Sequence, residues 1–288
     1  MKRTHLIRTL FLVISLVSES HGGDFSVHAD LSFSGEVPEL KLDLFVPQGG
    51  SGPVPCVVAI QGGGFLPQDG KRFRPFAERL AENGIAAALI AYRGRPEYTY
   101  RETLKDVWSS IDFLRSQASR FRLDPDQFGV TGRSAGGTLA ALVAIRGSKD
   151  GPRKEIQAAV CFAGVYDFVS RFTREEQLAL QPRSKVKIRT NGEWIGSEFA
   201  IDDPDWLAAS AANHCHKKMP PIMLLHSKDD PVVPWQQSRD MHDAVKDAGA
   251  NSELNLYETG GHGVTPENID TLDVMTSFFQ EHLGLSNR

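Results

Sequence analysis

Gly132-Arg-Ser-Ala-Gly136 joins two segments of different character in a chain of 288 residues. The segment before it, Phe128-Gly-Val-Thr131, is short and apolar, which is typical of a strand. The segment after it, from Ala135 to Ile145, has the Ala and Leu content of a helix. A sharp strand-to-helix turn presents a serine hydroxyl at the edge of a sheet, and glycines fit beside its strained backbone. We predict an exposed Ser134 hydroxyl here, although a Gly/Ser-rich turn without chemistry would have the same sequence.

Strand-like and helix-like segments alternate along the rest of the chain. Period-two alternation from Leu40 to Val46 predicts an edge strand with one wet face, preceded by a polar leader at residues 21–29. Further strands are predicted at 55–60, 85–91, 156–163, 221–226 and 254–257, and helices near 73–80, 104–114 and 266–282. Such alternation predicts the α/β class, with a mostly parallel sheet flanked by helices.

The expected organisation is a single domain from residue 30 to residue 286. Residues 168–219 break the rhythm and are richer in charge, so we expect a small cap-like insertion over the sheet. Within it, Asp203 followed by Pro204 predicts a helix N-terminus. The aromatic residues of the insertion favour packing against the sheet, with an acyl or sugar pocket as the alternative; they are Trp194, Phe199 and Trp206.

The N-terminus has the pattern of a secretory signal peptide over residues 1–20. Lys2, Arg3 and Arg8 precede a short apolar run from Leu10 to Val17, and small residues follow it. That run is too short to cross a bilayer comfortably, so we expect no stable membrane insertion after cleavage. The expected location is secreted or periplasmic.

Composition excludes several classes of protein. The chain is 41% hydrophobic and 24% charged, with 32 Lys and Arg against 36 Asp and Glu, so a nucleic-acid partner is disfavoured. Three cysteines are too few for a disulfide scaffold. His214-Cys-His216 offers two metal ligands without an evident third, and we predict neither a metal site nor a cofactor. Oligomeric state is not readable from the sequence.

A serine hydroxyl needs a base to remove its proton, and a carboxylate to orient that base. Asp229 and Asp230 follow the predicted strand that ends at His226. His262 lies between glycines after the strand that ends near Tyr257. The carboxyl ends of parallel strands share one sheet edge, so we expect these groups near Ser134. An unrelated surface-loop histidine is the alternative for His262.

Gln61-Gly-Gly-Gly-Phe65 follows the first buried strand. Glycines let backbone amides approach a substrate oxygen closely. We predict an oxyanion hole from the amide of Gly63 or Gly64 together with that of Ala135. A flexible loop without a role is the alternative, and a phosphate-binding loop is disfavoured because no Walker lysine follows.

Together these segments resemble the α/β-hydrolase esterases, and most closely the carboxylesterases related to hormone-sensitive lipase and to bacterial acetyl and acetylxylan esterases. The resemblance covers about residues 38–283 and rests on Gln61-Gly-Gly-Gly-Phe65, Tyr92-Arg93 with Pro96-Glu97, Leu123-Asp-Pro-Asp126, Gly132-Arg-Ser-Ala-Gly-Gly137, His226-Ser-Lys-Asp-Asp-Pro-Val-Val-Pro234 and Gly261-His-Gly263.

The resemblance implies an α/β-hydrolase fold with Ser134 as nucleophile, His262 as base and Asp230 as acid. Asp229 is then expected to be a turn residue. Two positions depart from the family pattern: Gln61 stands where the family usually has His, and Arg133 is a bulky, charged residue at the turn. Arg133 is expected in a surface salt bridge, with contact to an anionic substrate group as the alternative.

The function expected from residues and resemblance together is serine-dependent ester hydrolysis through an acyl-enzyme. The expected substrate is a small short-chain ester or an acylated carbohydrate. Two alternatives remain: a serine peptidase of the prolyl-oligopeptidase type, and a non-catalytic binding protein with the same fold.

Overall fold

The computed structural model describes residues 25–50, 52–147, 156–181, 184–262 and 269–285. The predicted signal peptide at 1–20 lies outside these residues, as does the start of the predicted terminal helix. Eight strands of the described chain form one sheet in the order β1-β2-β4-β3-β5-β6-β7-β8. They are β1 (Phe25–Ser32), β2 (Lys41–Pro47), β3 (Val54–Ile60), β4 (Ala86–Ile90), β5 (Leu123–Arg133), β6 (Ala158–Phe162), β7 (Ile222–Ser227) and β8 (Ser252–Tyr257).

The sheet is parallel from β4 through β8 and antiparallel where β2 pairs with β1 and with β4. The central strands are continuously apolar and fully buried, as strands covered on both faces must be. The predicted α/β class with a mostly parallel sheet is therefore confirmed.

The predictions for the first strand and for the start of the domain were wrong. β2 is an inner strand, because β1 covers its outer side with Val27 opposite Phe45. The sheet consequently begins at Phe25, before the expected domain start at residue 30. Alternating apolar residues at 25, 27 and 31 carry the strand signal, but the polar residues between them suggested a leader.

Helices cover both faces of the sheet. α2, α4 and α9 pack on one face, and α1 and α10 pack on the other. A 3₁₀ turn precedes α1 at Lys71–Phe73. The helices of the described chain are α1 (Arg74–Glu82), α2 (Tyr100–Ser116), α3 (Ala118–Phe121), α4 (Ala135–Gly147), α5 (Ser170–Thr173), α6 (Glu175–Leu178), α7 (Ser184–Ile195), α8 (Pro204–Ala209), α9 (Gln236–Asp247) and α10 (Ile269–His282).

The segment predicted as an insertion contains α5 to α8 and a 3₁₀ turn at Ala211–His214. Its aromatic side chains pack inward: Trp194 and Trp206 are fully buried, and Trp194 stacks on Phe65 with ring centroids 3.8 Å apart. α8 begins as predicted, since the Asp203 carboxylate accepts hydrogen bonds from the amides of Asp205 and Trp206. Packing is the main role of these tryptophans.

The cysteines and the paired histidines are structural elements of the core and the insertion. Cys56 and Cys161 are fully buried free thiols, and burial raises the pKa of both well above the usual range. His214 Nε2 lies 2.9 Å from the Ala208 carbonyl oxygen, and His216 Nε2 lies 3.1 Å from the Ile145 carbonyl oxygen.

None of the described helices is both long enough and apolar enough to cross a membrane.

Glycines let α4 approach the sheet at the turn after β5. A Cβ added to Gly136 would lie 1.9 Å from the carbonyl oxygen of Ile60, and one added to Gly132 would lie 2.3 Å from that of Gly136. Both neighbours are backbone atoms of regular elements, so neither can move away cheaply. This contact fixes where the turn that carries Ser134 lies relative to β3.

We expect Gly136→Ala to lower the free energy of unfolding by about 1–3 kcal/mol, the usual cost of forcing an extra methyl group into a packed core. Urea denaturation followed by circular dichroism measures the change. Gly35→Ala is the matched control, because a Cβ at Gly35 has no atom within 4 Å. Equal stability of the two variants would contradict the backbone contact.

Candidate active site

Ser134 occupies the turn between β5 and α4 with a left-handed backbone, φ = 56°. This conformation costs a non-glycine residue about 1 kcal/mol or more and persists only where the surroundings enforce it. Its amide donates a 2.7 Å hydrogen bond to the Phe162 carbonyl of β6, which helps to hold the turn. The local geometry is the one that the Gly-Arg-Ser-Ala-Gly pattern predicts.

His262 joins Ser134 to Asp230. His262 Nε2 lies 2.8 Å from Ser134 Oγ, and His262 Nδ1 lies 2.8 Å from Asp230 Oδ2. The three residues follow β5, β7 and β8, whose carboxyl ends lie at one edge of the sheet. The structure thus brings together the serine, the histidine and the second of the two candidate aspartates.

The Asp230 carboxylate is buried and accepts hydrogen bonds at both oxygens. Oδ1 receives the amides of Val232 at 2.7 Å and Val233 at 3.0 Å, and Oδ2 faces His262 and His226. Burial alone would raise the pKa of this carboxyl, but the hydrogen bonds from His226 and His262 outweigh it and hold the pKa well below the usual range. The group is therefore an ionised acceptor at neutral pH.

His226 is a second histidine on the same carboxylate, and sequence reasoning assigned it no role. Its Nε2 lies 3.1 Å from both Asp230 Oδ2 and the Val233 carbonyl oxygen, so Nε2 carries a proton. Its Nδ1 lies 2.7 Å from Ser238 Oγ, within hydrogen-bond distance of that hydroxyl. This buried series of hydrogen bonds holds Asp230 at Oδ2, the same oxygen that faces His262.

Asp229, predicted as a turn residue, also holds the histidine loop. It is exposed, and its Oδ1 accepts a 2.8 Å hydrogen bond from the amide of Gly261, next to His262. The two adjacent aspartates therefore contact different parts of the same loop, Asp230 the ring and Asp229 the backbone.

Gln61 anchors the glycine loop where the family usually has histidine. The side chain is buried: its Oε1 accepts a 2.8 Å hydrogen bond from the amide of Arg72, and its Nε2 donates to Gln68 Oε1. Its carbonyl accepts a 2.7 Å hydrogen bond from the Tyr92 hydroxyl. Hydrogen bonds to both the side chain and the backbone of Gln61 therefore hold the glycine loop.

A cavity of about 210 Å³ opens at Ser134. Gly64 and Ala135 line it, whereas Gly63 is not among its described lining residues. Arg95 fixes the glycine loop, because its Nε donates to the Gly64 carbonyl at 2.8 Å while its Nη1 pairs with Glu193 of α7 at 2.7 Å. Gly64 and Ala135 thus line the same cavity as Ser134.

Arg171 and Asn191 are two of the polar residues of the insertion that line this cavity and that sequence reasoning missed. No local motif marks either of them, so only the folded insertion reveals their position. Arg133 lies elsewhere, with its guanidinium 5.8 Å from the Phe73 ring centroid. A larger open depression of about 850 Å³ lies along α7 and is lined partly by Phe199, but Ser134 is not part of it.

The arrangement supports one kind of chemistry directly. A serine hydroxyl within hydrogen-bond distance of an imidazole, itself held by an ionised carboxylate, is set up for nucleophilic attack on a carbonyl carbon. Within the part of the chain that the structure describes, no cluster of His, Cys, Asp and Glu has the geometry of a metal site.

Comparison with known proteins bears on the family. A family model described as BD-FAE matches residues 42–245. Esterase LipQ of Mycobacterium tuberculosis is 30% identical over 68% of this chain and 47% of its own length. A probable isoprenylcysteine alpha-carbonyl methylesterase of Arabidopsis thaliana, ICMEL1, is 25% identical over 79% of this chain and 49% of its own. The chain thus spans about half the length of these curated relatives.

Among solved structures, the esterase Est2 of Thermogutta terrifontis with bound butyrate superposes with a TM-score of 0.72 at 25% sequence identity. The match covers 89% of this chain and 95% of that one. The α/β-hydrolase fold expected from the sequence is therefore confirmed.

Because Asp230 is ionised in the folded protein, the stability of the protein should depend on pH. Its pKa is lower in the folded protein than in the unfolded chain, where it is about 3.9, so its contribution is complete above that value and is lost as pH falls below it. The free energy of unfolding of the native protein minus that of Asp230→Asn should therefore shrink between about pH 5 and pH 3.

Urea denaturation at a series of pH values measures this difference. Asp229→Asn is the control, since that exposed carboxylate bonds only loop amides. If the difference in free energy of unfolding between the native protein and Asp230→Asn stayed constant down to pH 3, that result would contradict a buried carboxylate hydrogen-bonded at both oxygens.

Proposed function

Because the chain belongs to the BD-FAE family and is similar to proteins that are named esterases, we propose that it is a serine-dependent carboxylic ester hydrolase. The single observation that carries this proposal is the continuous hydrogen-bonded series from Ser134 Oγ through His262 to Asp230. In this proposal Ser134 is the nucleophile, His262 the general base and Asp230 the acid that orients it.

The first half of the reaction forms an acyl-enzyme. His262 Nε2 removes the proton from Ser134 Oγ as the oxygen attacks the ester carbonyl carbon, and Asp230 stabilises the imidazolium that results. The carbonyl oxygen becomes an oxyanion beside the amides of Ala135 and Gly64, with Gly63 as the other candidate donor. A donor of this kind is worth roughly 10²–10³ in rate.

The second half releases the products. The imidazolium of His262 gives its proton to the leaving alcohol as the tetrahedral intermediate collapses. Water then enters, His262 takes one of its protons, and the hydroxyl attacks the acyl-serine. Collapse of the second intermediate returns the proton to Ser134 Oγ and frees the acid, so no cofactor takes part in this scheme.

The substrates that we propose are esters with a short acyl group. The cavity at Ser134 holds about 210 Å³, less than the roughly 300–1,000 Å³ of pockets that bury drug-sized ligands. Export, predicted from residues 1–20, would place the enzyme where acetylated carbohydrates occur, and these are the natural substrates that we propose.

We expect hydrolysis of 4-nitrophenyl esters to be fastest at two to four acyl carbons and to fall sharply by eight. Ser134→Ala should lower kcat by about 10⁶-fold, the loss typical of removing a serine nucleophile. The measurement is release of 4-nitrophenolate by protein whose folding has been checked by circular dichroism. Absence of turnover in a folded native protein would favour the non-catalytic binding protein instead.

Substitutions of the two adjacent aspartates should differ in their effect on activity. Asp230→Asn should lower kcat by about 10⁴-fold, because the amide cannot hold the productive imidazole tautomer. Asp229→Asn keeps a loop acceptor and should cost less than tenfold. Steady-state kinetics on 4-nitrophenyl acetate compares them, and a larger loss for Asp229→Asn would reverse the assignment of the acid.

A further inference from the structure

Arg171 is a buried cation in the wall of the cavity at Ser134. Its side chain is 2% exposed, and the residue lies in α5 of the insertion. Its Nε donates to Gln181 Oε1 at 2.7 Å, and its Nη2 donates to the Val232 carbonyl at 2.9 Å. Both acceptors are neutral, so neither balances the guanidinium charge.

Among the described residues, Asp230 is the carboxylate whose charge acts on Arg171. Burial lowers the pKa of Arg171 to about 10, and the charge of Asp230 opposes that effect. The guanidinium is therefore still charged at neutral pH, while Asp230 already faces two histidines. Within the described residues Arg171 Nη1 donates to nothing, and a buried charge without a close counter-ion is costly.

Asn191 adds an unsatisfied donor to the same cavity. This residue of α7 is 4% exposed, and its Nδ2 is shielded from solvent without a hydrogen-bond partner in the described part of the chain. A buried amide N–H group without an acceptor is destabilising. An acceptor oxygen of a ligand in the cavity would satisfy this N–H group.

The remaining walls fit an anion. The described residues that line the cavity include Arg95, Lys187 and Arg171 but neither Asp nor Glu. Arg95 is paired with Glu193, which is outside this lining. Guanidinium and amide N–H groups match the planar oxygens of a carboxylate, which can accept from both at once.

We infer that the cavity binds a carboxylate on the ester substrate, held by Arg171 and Asn191, so that the preferred substrates are esters carrying a negative charge on the part that enters it. The inference rests on the proposed ester hydrolysis at Ser134 and narrows its substrate class. Arg171 and Asn191 are then specificity residues rather than groups that take part in bond making.

Matched ester pairs test the inference from both sides of the ester bond. Monomethyl succinate and methyl pentanoate differ in the acyl group, where an ethyl group replaces the carboxylate. Sodium 4-acetoxybutanoate and pentyl acetate make the same exchange in the alcohol. We expect kcat/KM for the charged member of at least one pair to exceed that of its neutral partner roughly 10- to 100-fold, as for a charge-assisted hydrogen bond.

Variants assign the preference to the two residues. Asn191→Asp, which is nearly isosteric, and Arg171→Gln should each reduce the charged-to-neutral ratio at least tenfold. The controls Asn251→Asp and Arg174→Gln make the same changes at exposed positions outside the cavity and should keep the native ratio. A purely structural role of Arg171 would lower both rates together and leave the ratio unchanged.

Binding to Ser134→Ala separates this inference from the proposed function. Isothermal titration calorimetry with the ester pairs needs no turnover, and we expect the charged member of the preferred pair to bind at least tenfold more tightly. Equal binding within both pairs, or a ratio that Asn191→Asp does not move, would overturn the inference. Hydrolysis of 4-nitrophenyl acetate would still support the proposed function in that case.

Discussion

The buried carboxylate of Asp230 is the interaction on which the site depends. The carboxylate accepts hydrogen bonds from two backbone amides and two imidazoles. The amides belong to its own turn, and the imidazoles are those of His226 in β7 and His262 after β8. An ionised group with four donors tolerates burial that an isolated charge would not. Its position therefore fixes the orientation of His262, and through His262 the hydrogen bond to Ser134.

This carboxylate acts within a frame set by backbone contact. The parallel strands β5, β7 and β8 end at one edge of the sheet. Glycines at 132 and 136 let the first turn of α4 lie against β3. The backbone of Ser134 is held in an unfavourable conformation by these contacts and by the bond to Phe162. Rigid elements, rather than loops, thus place the reactive hydroxyl.

The insertion adds chemistry that the frame lacks. Its aromatic residues bind it to the rest of the molecule, with Trp194 stacked on Phe65 of the glycine loop. This anchoring carries Asn191 and Arg171 into the wall of the cavity. In the proposed function, the frame supplies the nucleophile and its base, and the insertion supplies the residues that select among substrates.

The sequence by itself determined the alternation of strands and helices, the turn at Ser134 and the sheet edge that it shares with His262 and the aspartates after β7. These follow from local periodicity, glycine patterns and the geometry of parallel sheets. Resemblance chose between Asp229 and Asp230, which spacing alone left open. Only the tertiary structure decided that β1 covers β2, that His226 supports Asp230, and that Arg171 and Asn191 face the cavity. β1 and the cavity residues of the insertion meet partners distant in the chain, whereas His226 and Asp230 are only four residues apart and meet because of how the turn after β7 folds, which their spacing does not specify.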